Sequence, residues 1–285
     1  MKKMYFIILI GLFFACIGNK TVLQDTTIPS TTKEKVLDTI IKIESKKPNP
    51  KTVLIHKKET LTPKKKPKTN VEFFNHQSWD NLLQKHVSDQ GTVNYNGLKK
   101  DFKILKTYLI SLTKNTPKED WPKSDQLAYW MNAYNAFTIK LIIDNYPIKS
   151  IKEIKDPWDF RFIKLEKKWY TLNDIEHRIL RKMKDPRIHF GINCASLSCP
   201  KLLNKAFTSH NVNQELEKLT SDFINDPRQN LITKNTIQLS KLFTWFAKDF
   251  KTKGSLISFL NQYSKITIDE TAKKSFKKYD WRLNE

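Results

Sequence analysis

Residues 125–146, "DQLAYWMNAYNAFTIKLIIDNY", decide the fold. Apolar residues cover this stretch almost all the way round a helical wheel, which is typical of a helix that is buried on every side. Ser124 precedes it as a favourable N-cap, and Pro147 stands where a helix must end. The stretch therefore predicts one central helix.

Two asparagines, Asn132 and Asn135, lie inside this apolar stretch at a spacing of three, which puts both on one face of the helix. A buried amide without a partner costs about 1–3 kcal/mol, so each must bond to something definite. Two roles are open: they bond the backbone of a neighbouring loop, or they orient a catalytic side chain or a ligand.

On both sides of the central helix, periodic apolar residues predict further helices, and short alternating runs around turn residues predict hairpins. The predicted helices cover 71–87, 98–112, 174–183, 212–226, 242–250 and 255–263, the hairpins 160–172 and 231–240, and a buried strand 188–194. This order predicts the α+β class: a helix-rich single domain around a small, largely antiparallel sheet. The chain has only 6 glycines and no glycine-rich phosphate loop, which disfavours a nucleotide-binding fold.

The segment "NDIEH", 173–177, carries the first candidate for chemistry. Asn173 with Glu176 three residues later matches a capping box, and helix initiation alone would explain Glu176. His177 follows on the same side of the helix as Asp174. A carboxylate there would fix the tautomer of the imidazole, as in an acid–histidine pair.

The segment "IHFGINC", 188–194, carries the second candidate, His189. In an unbroken strand, His189 and Cys194 would face opposite sides and lie roughly 16 Å apart. A base that serves Cys194 must then come from another element, and His177 is the preferred candidate.

Cys194 and Cys199 stand five residues apart in "NCASLSCP". A thiol at the end of a strand meets backbone amides that lower its pKa, and the same amides would bind an acyl oxyanion. A disulfide is equally open, because an oxidising compartment favours it and the spacing permits it. A zinc clip with His177 and His189 matches no common spacing, so we predict no metal and no other cofactor.

The first residues, "MKKMYFIILIGLFFAC", resemble a bacterial lipoprotein signal, although Phe13 departs from the usual leucine-like residue. The resemblance implies cleavage after residue 15 and lipid on the thiol of Cys16. Residues 17–70 hold thirteen lysines against five acidic residues, with ten threonines, five prolines and no aromatic residue. Such a segment cannot bury enough apolar surface to fold, which predicts a disordered tether over 16–70 and one globular domain over 71–285.

The net charge of +22 carries little information about partners. The leader contributes 2 and the tether 8 of these charges, which leaves +12 on the domain. Lysines are scattered and no nucleic-acid motif accompanies them, so we expect no nucleic-acid partner. The export signal predicts a domain in the cell envelope, facing the periplasm or the cell surface and held to the membrane by lipid. An envelope peptide or glycan is the expected ligand.

Six stretches resemble, in order and spacing, the domain-of-unknown-function family numbered 547: "LAYWMNAYNAFTIKLIIDNYP", "LNDIEHRILR", "DPRIHFGINCASLSCPKL", "FINDPRQN", "LSKLFTWFAKDF" and "YDWRLNE". The resemblance covers essentially 71–285. It implies that the family's signature positions fall on a polar cluster drawn from distant segments. Its members are Asn132, Asn135, Glu176, His177, His189, Cys194, Ser196, Cys199 and Pro200.

These residues lead to two functional hypotheses and a minor third. In the first, the protein is a cysteine-dependent acyl-transfer enzyme, a peptide or amide hydrolase or a transpeptidase. Its roles are Cys194 as nucleophile, His177 as base, Asp174 or Glu176 as the orienting acid, and Asn132, Asn135, His189 and Ser196 as substrate contacts. In the second, a Cys194–Cys199 disulfide pins a non-catalytic binding module. In the third, the two thiols serve a redox role.

Overall fold

The computed structural model describes residues 73–285. The leader predicted at 1–15, the lipidation site Cys16, the tether predicted at 16–70 and the first two residues of the predicted domain lie outside the described residues. In the described part, helices outnumber strands, and the strands form two small sheets. The predicted α+β class is confirmed.

The elements follow one another in a mixed order along residues 73–285. The α-helices are α1 Gln77–His86, α2 Tyr95–Lys100, α3 Phe102–Lys114, α4 Lys123–Asn145, α5 Ile188–Gly191, α6 Val212–Asn225, α7 Leu242–Trp245, α8 Ala247–Phe250 and α9 Leu256–Asn261. Two 3-10 helices, Ile151–Glu153 and Leu180–Met183, and a π-helix, Asp174–Ile179, complete the helical part. The strands are β1 Ile163–Leu165, β2 Lys168–Tyr170, β3 Leu231–Ile232, β4 Thr236–Leu239 and β5 Lys273–Phe276.

Helix α4 is the central element that its all-round apolar surface predicts. Of its 23 residues, 17 are buried, and it packs against α2, α3, α6 and the π-helix. It ends at Asn145, two residues before Pro147, as predicted. Its start differs: Pro122 in extended conformation precedes the helix, so Ser124 lies in the first turn and does not cap it.

Both predicted hairpins are confirmed. Strands β1 and β2 are antiparallel with Leu165 opposite Lys168, and Glu166 takes a positive φ of 51° in the turn between them. Strands β3 and β4 are antiparallel with Ile232 opposite Ile237. Strand β5 was not predicted; it pairs with β4 in parallel and makes the second sheet mixed.

Two predicted helices are each divided in two. The helix predicted over 98–112 is interrupted at Asp101, whose carboxylate lies 2.7 Å from both Lys85 Nζ and His86 Nε2 of α1. The helix predicted over 242–250 is interrupted at Phe246, between α7 and α8. In both cases contacts with other elements override a continuous helical periodicity.

The capping box predicted for Asn173 and Glu176 is wrong. The chain instead uses Thr171 and Asp174: the Asp174 amide donates to Thr171 Oγ1 at 2.9 Å, and the Thr171 amide donates to Asp174 Oδ2 at 3.0 Å. Asn173 is already helical and makes no capping bond. Glu176 is therefore free of any capping role.

The strand predicted over 188–194 is also wrong, because Ile188–Gly191 forms the short helix α5. Asp185 starts it: its side chain accepts from the Arg187 amide at 3.0 Å, and its carbonyl accepts from the Ile188 amide. A short apolar run fits a buried strand and a buried helical turn equally well, so periodicity alone could not decide. The 16 Å separation of His189 from Cys194 no longer applies.

Candidate functional site

The segment that carries Cys194 is held in place by the central helix. Asn135 of α4 donates from its amide nitrogen to the Gly191 carbonyl at 3.0 Å and accepts from the Asn193 amide at 2.9 Å. Asn193 continues the chain of bonds, since its side chain accepts from the Ala195 amide at 2.8 Å and donates to the Pro200 carbonyl at 2.8 Å. We call residues 193–200 the cysteine loop.

Gly191 allows this loop to approach α4 closely. A Cβ at this position would lie 2.1 Å from Met131 Cε and 2.8 Å from Leu216 Cδ2, which no side chain could tolerate without displacement. A larger residue here would have to displace the ends of the Met131 and Leu216 side chains, so the glycine lets α5 pack closely against α4 and α6.

Cys194 and Cys199 are both free thiols, and each is half-buried. The amide of Cys194 donates to Cys199 Sγ at 2.9 Å. The sulfur of Cys194 lies 3.2 Å from Ser196 Oγ and 3.3 Å from the Tyr279 hydroxyl, and these two hydroxyls lie 3.1 Å apart. The sulfur of Cys194 thus sits beside two hydroxyl groups that can hydrogen-bond to it.

These contacts shift the pKa values of the two thiols in opposite directions. The hydrogen bond from the Cys199 side chain, aided by Ser196 and Tyr279, lowers the pKa of Cys194 in spite of burial. Burial, together with the thiolate of Cys194, raises the pKa of Cys199 well above its usual range. One sulfur is favoured as thiolate while its partner keeps its proton.

Four of the five amides of "CASLS" have an acceptor inside the protein, which leaves little support for the predicted oxyanion site. Besides the bond from Cys194 to Cys199 Sγ, the donors and acceptors are Ala195 to Asn193 Oδ1, Leu197 to the Arg282 carbonyl and Ser198 to the Asp280 carbonyl.

The C-terminal residues close over the cysteine loop as a strap, residues 279–285. Besides the bonds to Arg282 and Asp280, the Asp280 amide donates to Ser198 Oγ at 2.9 Å, and Ser196 forms an antiparallel bridge with Leu283. The same strap carries Tyr279 to the sulfur of Cys194.

Glu176 is a buried acid beside these thiols. Its Oε2 lies 3.3 Å from the hydroxyl of Tyr134, which also belongs to α4, and its Oε1 lies 3.8 Å from His189 Nδ1. Burial, assisted by the negative charge of Cys194, raises the pKa of Glu176 to about 7. The group therefore changes charge close to neutral pH.

His189 belongs to the same buried group. Its Nε2 lies 2.8 Å from Asp249 Oδ2, and its ring stacks on Phe246 at 3.9 Å between centroids. Asp249 also accepts two bonds from Arg181, at 2.6 and 2.8 Å. The side chain of His189 is 1% exposed, which excludes the predicted direct contact with a substrate.

His177 and Asp174 do not form the predicted pair. His177 is half-buried, and its Nδ1 lies 2.9 Å from Arg181 Nη1. The carboxylate of Asp174 instead faces Arg178 at 3.1 Å and Arg161 at 3.5 Å. Among the residues that the structure describes, no imidazole lies within hydrogen-bond distance of Cys194, so nothing supports His177 as its base.

Of the two roles left open for the asparagines of α4, both residues have the structural one: they bond the backbone of neighbouring loops. Asn132 donates to the Phe207 carbonyl at 2.7 Å and accepts from the Phe207 amide at 3.0 Å, as Asn135 does for the cysteine loop. Both side chains are buried with nitrogen and oxygen already bonded to main chain. The predicted contact of these amides with substrate is wrong, although Asn135 positions the loop that bears Cys194.

A polar cleft of about 820 Å³ opens beside the cysteine loop. Cys199 and Ser196 are part of its wall. Ser196 is itself buried, so its predicted substrate contact stays a prediction that its exposure does not support. Charges of both signs line the rest of the cleft, among them Asp89, Asp226, Arg228, Lys201 and Lys278. The cleft suits a hydrophilic ligand more than an apolar one.

Sequence reasoning missed three residues of this site: Tyr134, Asp249 and Tyr279. Tyr134 lies between the two asparagines that were chosen, and Asp249 and Tyr279 lie in two of the stretches quoted for the family resemblance. The signal was present, but each of these residues contributes only through contacts with distant segments.

Within residues 73–285, no three side chains of His, Cys, Asp or Glu are arranged so that they could hold a metal ion. No helix in this described part has the length and apolarity needed to cross a bilayer.

Comparison with known proteins gives one match. Residues 118–224 match the family described as "Protein of unknown function, DUF547". No curated protein and no solved structure matches the chain. The matched residues contain α4, Glu176, His189 and both cysteines of the loop, whereas Asp249 and Tyr279 lie beyond them. The cysteine loop thus lies within the matched residues, and the chain carries a DUF547 domain over residues 118–224.

Proposed function

We propose that this protein is a thiol–disulfide oxidoreductase that works through Cys194 and Cys199. The geometry around the two sulfurs carries the proposal: the Cys194 amide donates to Cys199 Sγ at 2.9 Å, and two hydroxyls lie 3.2 and 3.3 Å from the Cys194 sulfur. These surroundings lower the pKa of Cys194 and raise that of Cys199. An attacking thiolate beside a protonated second thiol is the arrangement that disulfide exchange needs.

The reaction has two steps. The thiolate of Cys194 attacks one sulfur of a substrate disulfide, forms a mixed disulfide and releases the other substrate sulfur as a thiolate. Cys199 then loses its proton and attacks the Cys194 sulfur, which forms the Cys194–Cys199 bond and releases the second substrate thiolate. The dithiol loses two electrons, and the substrate disulfide gains them.

The contacts of the thiol favour exchange over acyl transfer. An acyl-transfer site needs donors for an oxyanion and a base within reach of the nucleophile. Most amides of the loop are bonded internally, and the side chains that hydrogen-bond to the Cys194 sulfur are Ser196 and Tyr279, neither of them an imidazole. The redox reading, the minor hypothesis from sequence, therefore has the best geometric support.

Acyl transfer remains the second candidate because of one specific observation. Glu176 ionises near neutral pH and lies close enough to Cys194 to feel its charge, so it could replace His177 as the acid–base group. The two functions differ in their need for Cys199: exchange requires it to resolve the mixed disulfide, whereas acyl transfer does not.

The test uses the full chain with Cys16→Ser, so that only the two loop thiols react. The reduced protein is incubated with oxidised glutathione, quenched with acid and measured by intact mass. We expect an internal disulfide in this protein, a trapped glutathione adduct on Cys194 in the Cys199→Ser variant, and no adduct on Cys199 in Cys194→Ser. Dithiothreitol should reduce the internal disulfide again.

Three outcomes would contradict exchange. Alkylation of Cys194 by iodoacetamide at pH 6.5 that is no faster than alkylation of free glutathione would remove the activated thiolate. A Cys194–Cys199 disulfide that resists dithiothreitol in the folded protein would favour the binding module with a structural disulfide. A Cys199→Ser variant that keeps full activity on an activated peptide ester would favour acyl transfer.

We further propose that lipid on Cys16 holds the domain in the cell envelope, where an envelope peptide that carries a disulfide is the substrate. The lipoprotein-like leader and the lysine-rich tether support this placement. In the native host, the chain should sediment with membranes, and Cys16→Ser should move it to the soluble fraction. A membrane fraction that the substitution leaves unchanged would contradict lipid anchoring.

A further inference from the structure

Three titratable side chains from separate elements meet beneath the cysteine loop. Glu176 of the π-helix lies 3.8 Å from His189 Nδ1 of α5, and His189 Nε2 lies 2.8 Å from Asp249 of α8. Glu176 and His189 are both buried. We call these three residues the buried relay.

The fold gains little from this group. His189 Nδ1 is buried and has no hydrogen-bond partner among the described residues, which costs about 1–3 kcal/mol. A carboxyl group buried beside it is a further cost, since burial disfavours its charged form. Buried polar groups that native structures leave unsatisfied call for an explanation, and proton transfer between Glu176 and His189 would give both of them one.

We propose that Glu176, His189 and Asp249 carry away the proton that the Cys194–Cys199 pair releases on oxidation. This inference rests on the proposed thiol–disulfide exchange. The reduced pair holds one proton, on Cys199, and the disulfide holds none. Glu176 takes up that proton as a carboxylate, which frees Cys199 to attack the Cys194 sulfur.

The onward path follows the contacts of His189. The protonated Glu176 donates to His189 Nδ1 when the 3.8 Å gap closes to hydrogen-bond length. The imidazolium then donates from Nε2 to Asp249, whose side chain is 20% exposed. Asp249 is held by Arg181, and Arg181 also contacts the half-buried His177. The proton leaves to solvent at this exposed end.

The charged groups around Glu176 suit it to this role. Tyr134 of α4, the sulfur of Cys194, Arg181 and Asp249 are the titratable groups that act on it besides His189. The negative charge of Cys194 raises the pKa of Glu176, so loss of the thiolate in the mixed disulfide lowers that pKa. Glu176 is then ionised, the form that can accept a proton, although it is a weaker base than beside the thiolate. Arg181 and Asp249 oppose each other.

The test measures the two steps separately in the full chain with Cys16→Ser. Reduced protein is mixed with 5,5′-dithiobis(2-nitrobenzoic acid) by stopped flow between pH 5 and 9. The first release of thionitrobenzoate reports attack by Cys194, and the second reports attack by Cys199. The variants are Glu176→Gln, Glu176→Asp as the conservative rescue, and Glu217→Gln on the exposed face of α6 as the matched control.

We expect the second release to slow at least tenfold at pH 7 in Glu176→Gln, to recover in part in Glu176→Asp and to stay unchanged in Glu217→Gln. Its pH profile should lose the inflection near neutral pH in Glu176→Gln alone. A merely structural role for Glu176 would lower the amount of active protein without moving that inflection.

The remaining outcomes separate the two proposals. A second release with the same rate and pH profile in Glu176→Gln would overturn the relay and leave the exchange function intact. A parent protein with no second release would overturn the exchange function. In that case the first release still tests the interaction between Glu176 and Cys194. Because Glu176→Gln removes a negative charge near the thiolate, the pH profile of the first release should move to lower pH. An unmoved profile would overturn the relay as well.

Discussion

At the scale of single residues, the chemistry of the site depends on whether Cys194 or Glu176 is ionised. Cys194 receives its thiolate stabilisation from a thiol and two hydroxyls, none of which carries a positive charge. Glu176, close by and buried, works against that thiolate. The thiolate of Cys194 and the carboxylate of Glu176 therefore compete, and the pH range in which each is ionised depends on the other.

Glu176 should make folding stability fall as the pH rises. Its pKa moves from the usual 4.5 in the unfolded chain to about 7 in the folded protein, so the folded state binds more protons between these values. Stability is lost across this window, and the loss is complete above pH 7. We expect Glu176→Gln to gain about 3 kcal/mol relative to wild type between pH 4.5 and pH 8.

Urea denaturation at both pH values measures this gain. Glu217→Gln, which removes one exposed carboxyl group, is the control for the change in total charge. If Glu176→Gln and the wild type change stability in parallel with pH, the carboxyl group is not buried in the charged form at high pH and our account of it is wrong.

At the scale of elements, the start of the π-helix distinguishes two sequence patterns. "TLND" and "NDIE" both fit a capping box, and the chain uses the first. We expect Thr171→Ala to cost about 1 kcal/mol of unfolding free energy, because one helix N–H loses its acceptor. Asn173→Ala should cost less than about 0.5 kcal/mol, because its side chain only contacts Asp159 at the surface.

Urea midpoints of these two variants decide the matter. The reverse order, with Asn173→Ala the more damaging change, would restore the capping box that the sequence suggested and contradict the one seen here.

The two asparagines of α4 offer a matched pair of variants. Asn135→Ala and Asn132→Ala each leave a buried carbonyl and a buried amide without a partner, so each should cost about 2–5 kcal/mol. Only Asn135 holds the cysteine loop. We expect iodoacetamide to alkylate Cys194 more slowly at pH 6.5 in Asn135→Ala and at the wild-type rate in Asn132→Ala.

The alkylation rates of the two variants are compared without urea, and each rate is corrected for the folded fraction, which circular dichroism measures. Equal loss of thiol reactivity in both variants would mean that general destabilisation, not the clamp on the loop, controls Cys194.

Elements with strong local signals were predictable from sequence, and elements set by distant contacts were not. Helix α4, helix α6 and the two hairpins follow from apolar pattern and turn residues. The sequence wrongly predicts a strand at Ile188–Gly191, because a run of four residues has no clear period. That error moved His189 away from Cys194 and made His177 the favoured base.

At the scale of the whole molecule, the site joins segments that lie far apart in the chain. Both cysteines stand at the centre of the predicted site because their type and spacing are local facts, and their role stays a prediction. Tyr279, Asp249 and Tyr134 reach the site through tertiary contacts separated by 85, 60 and 42 residues from Cys194, His189 and Glu176. No local pattern encodes such contacts, which is why the sequence alone could not assemble them.

The strap should transmit packing to the thiol. Leu283 is buried and bridges to Ser196, so Leu283→Ala should cost about 2–4 kcal/mol and raise the pKa of Cys194 by loosening Tyr279. Leu105→Ala, at a fully buried position of α3, should cost a similar amount without changing Cys194. The pH dependence of alkylation measures the difference, and identical profiles in the two variants would show that the strap does not tune the thiol.

Strand β5 has a consequence for how the protein behaves among its own copies. It lies at the rim of the mixed sheet with all four residues exposed, and two of them are Lys273 and Lys274. The unpaired backbone groups of an edge strand can pair with a strand of another molecule, and like charges along the edge disfavour such pairing. We therefore expect Lys273 and Lys274 to disfavour aggregation between copies of the protein through this edge.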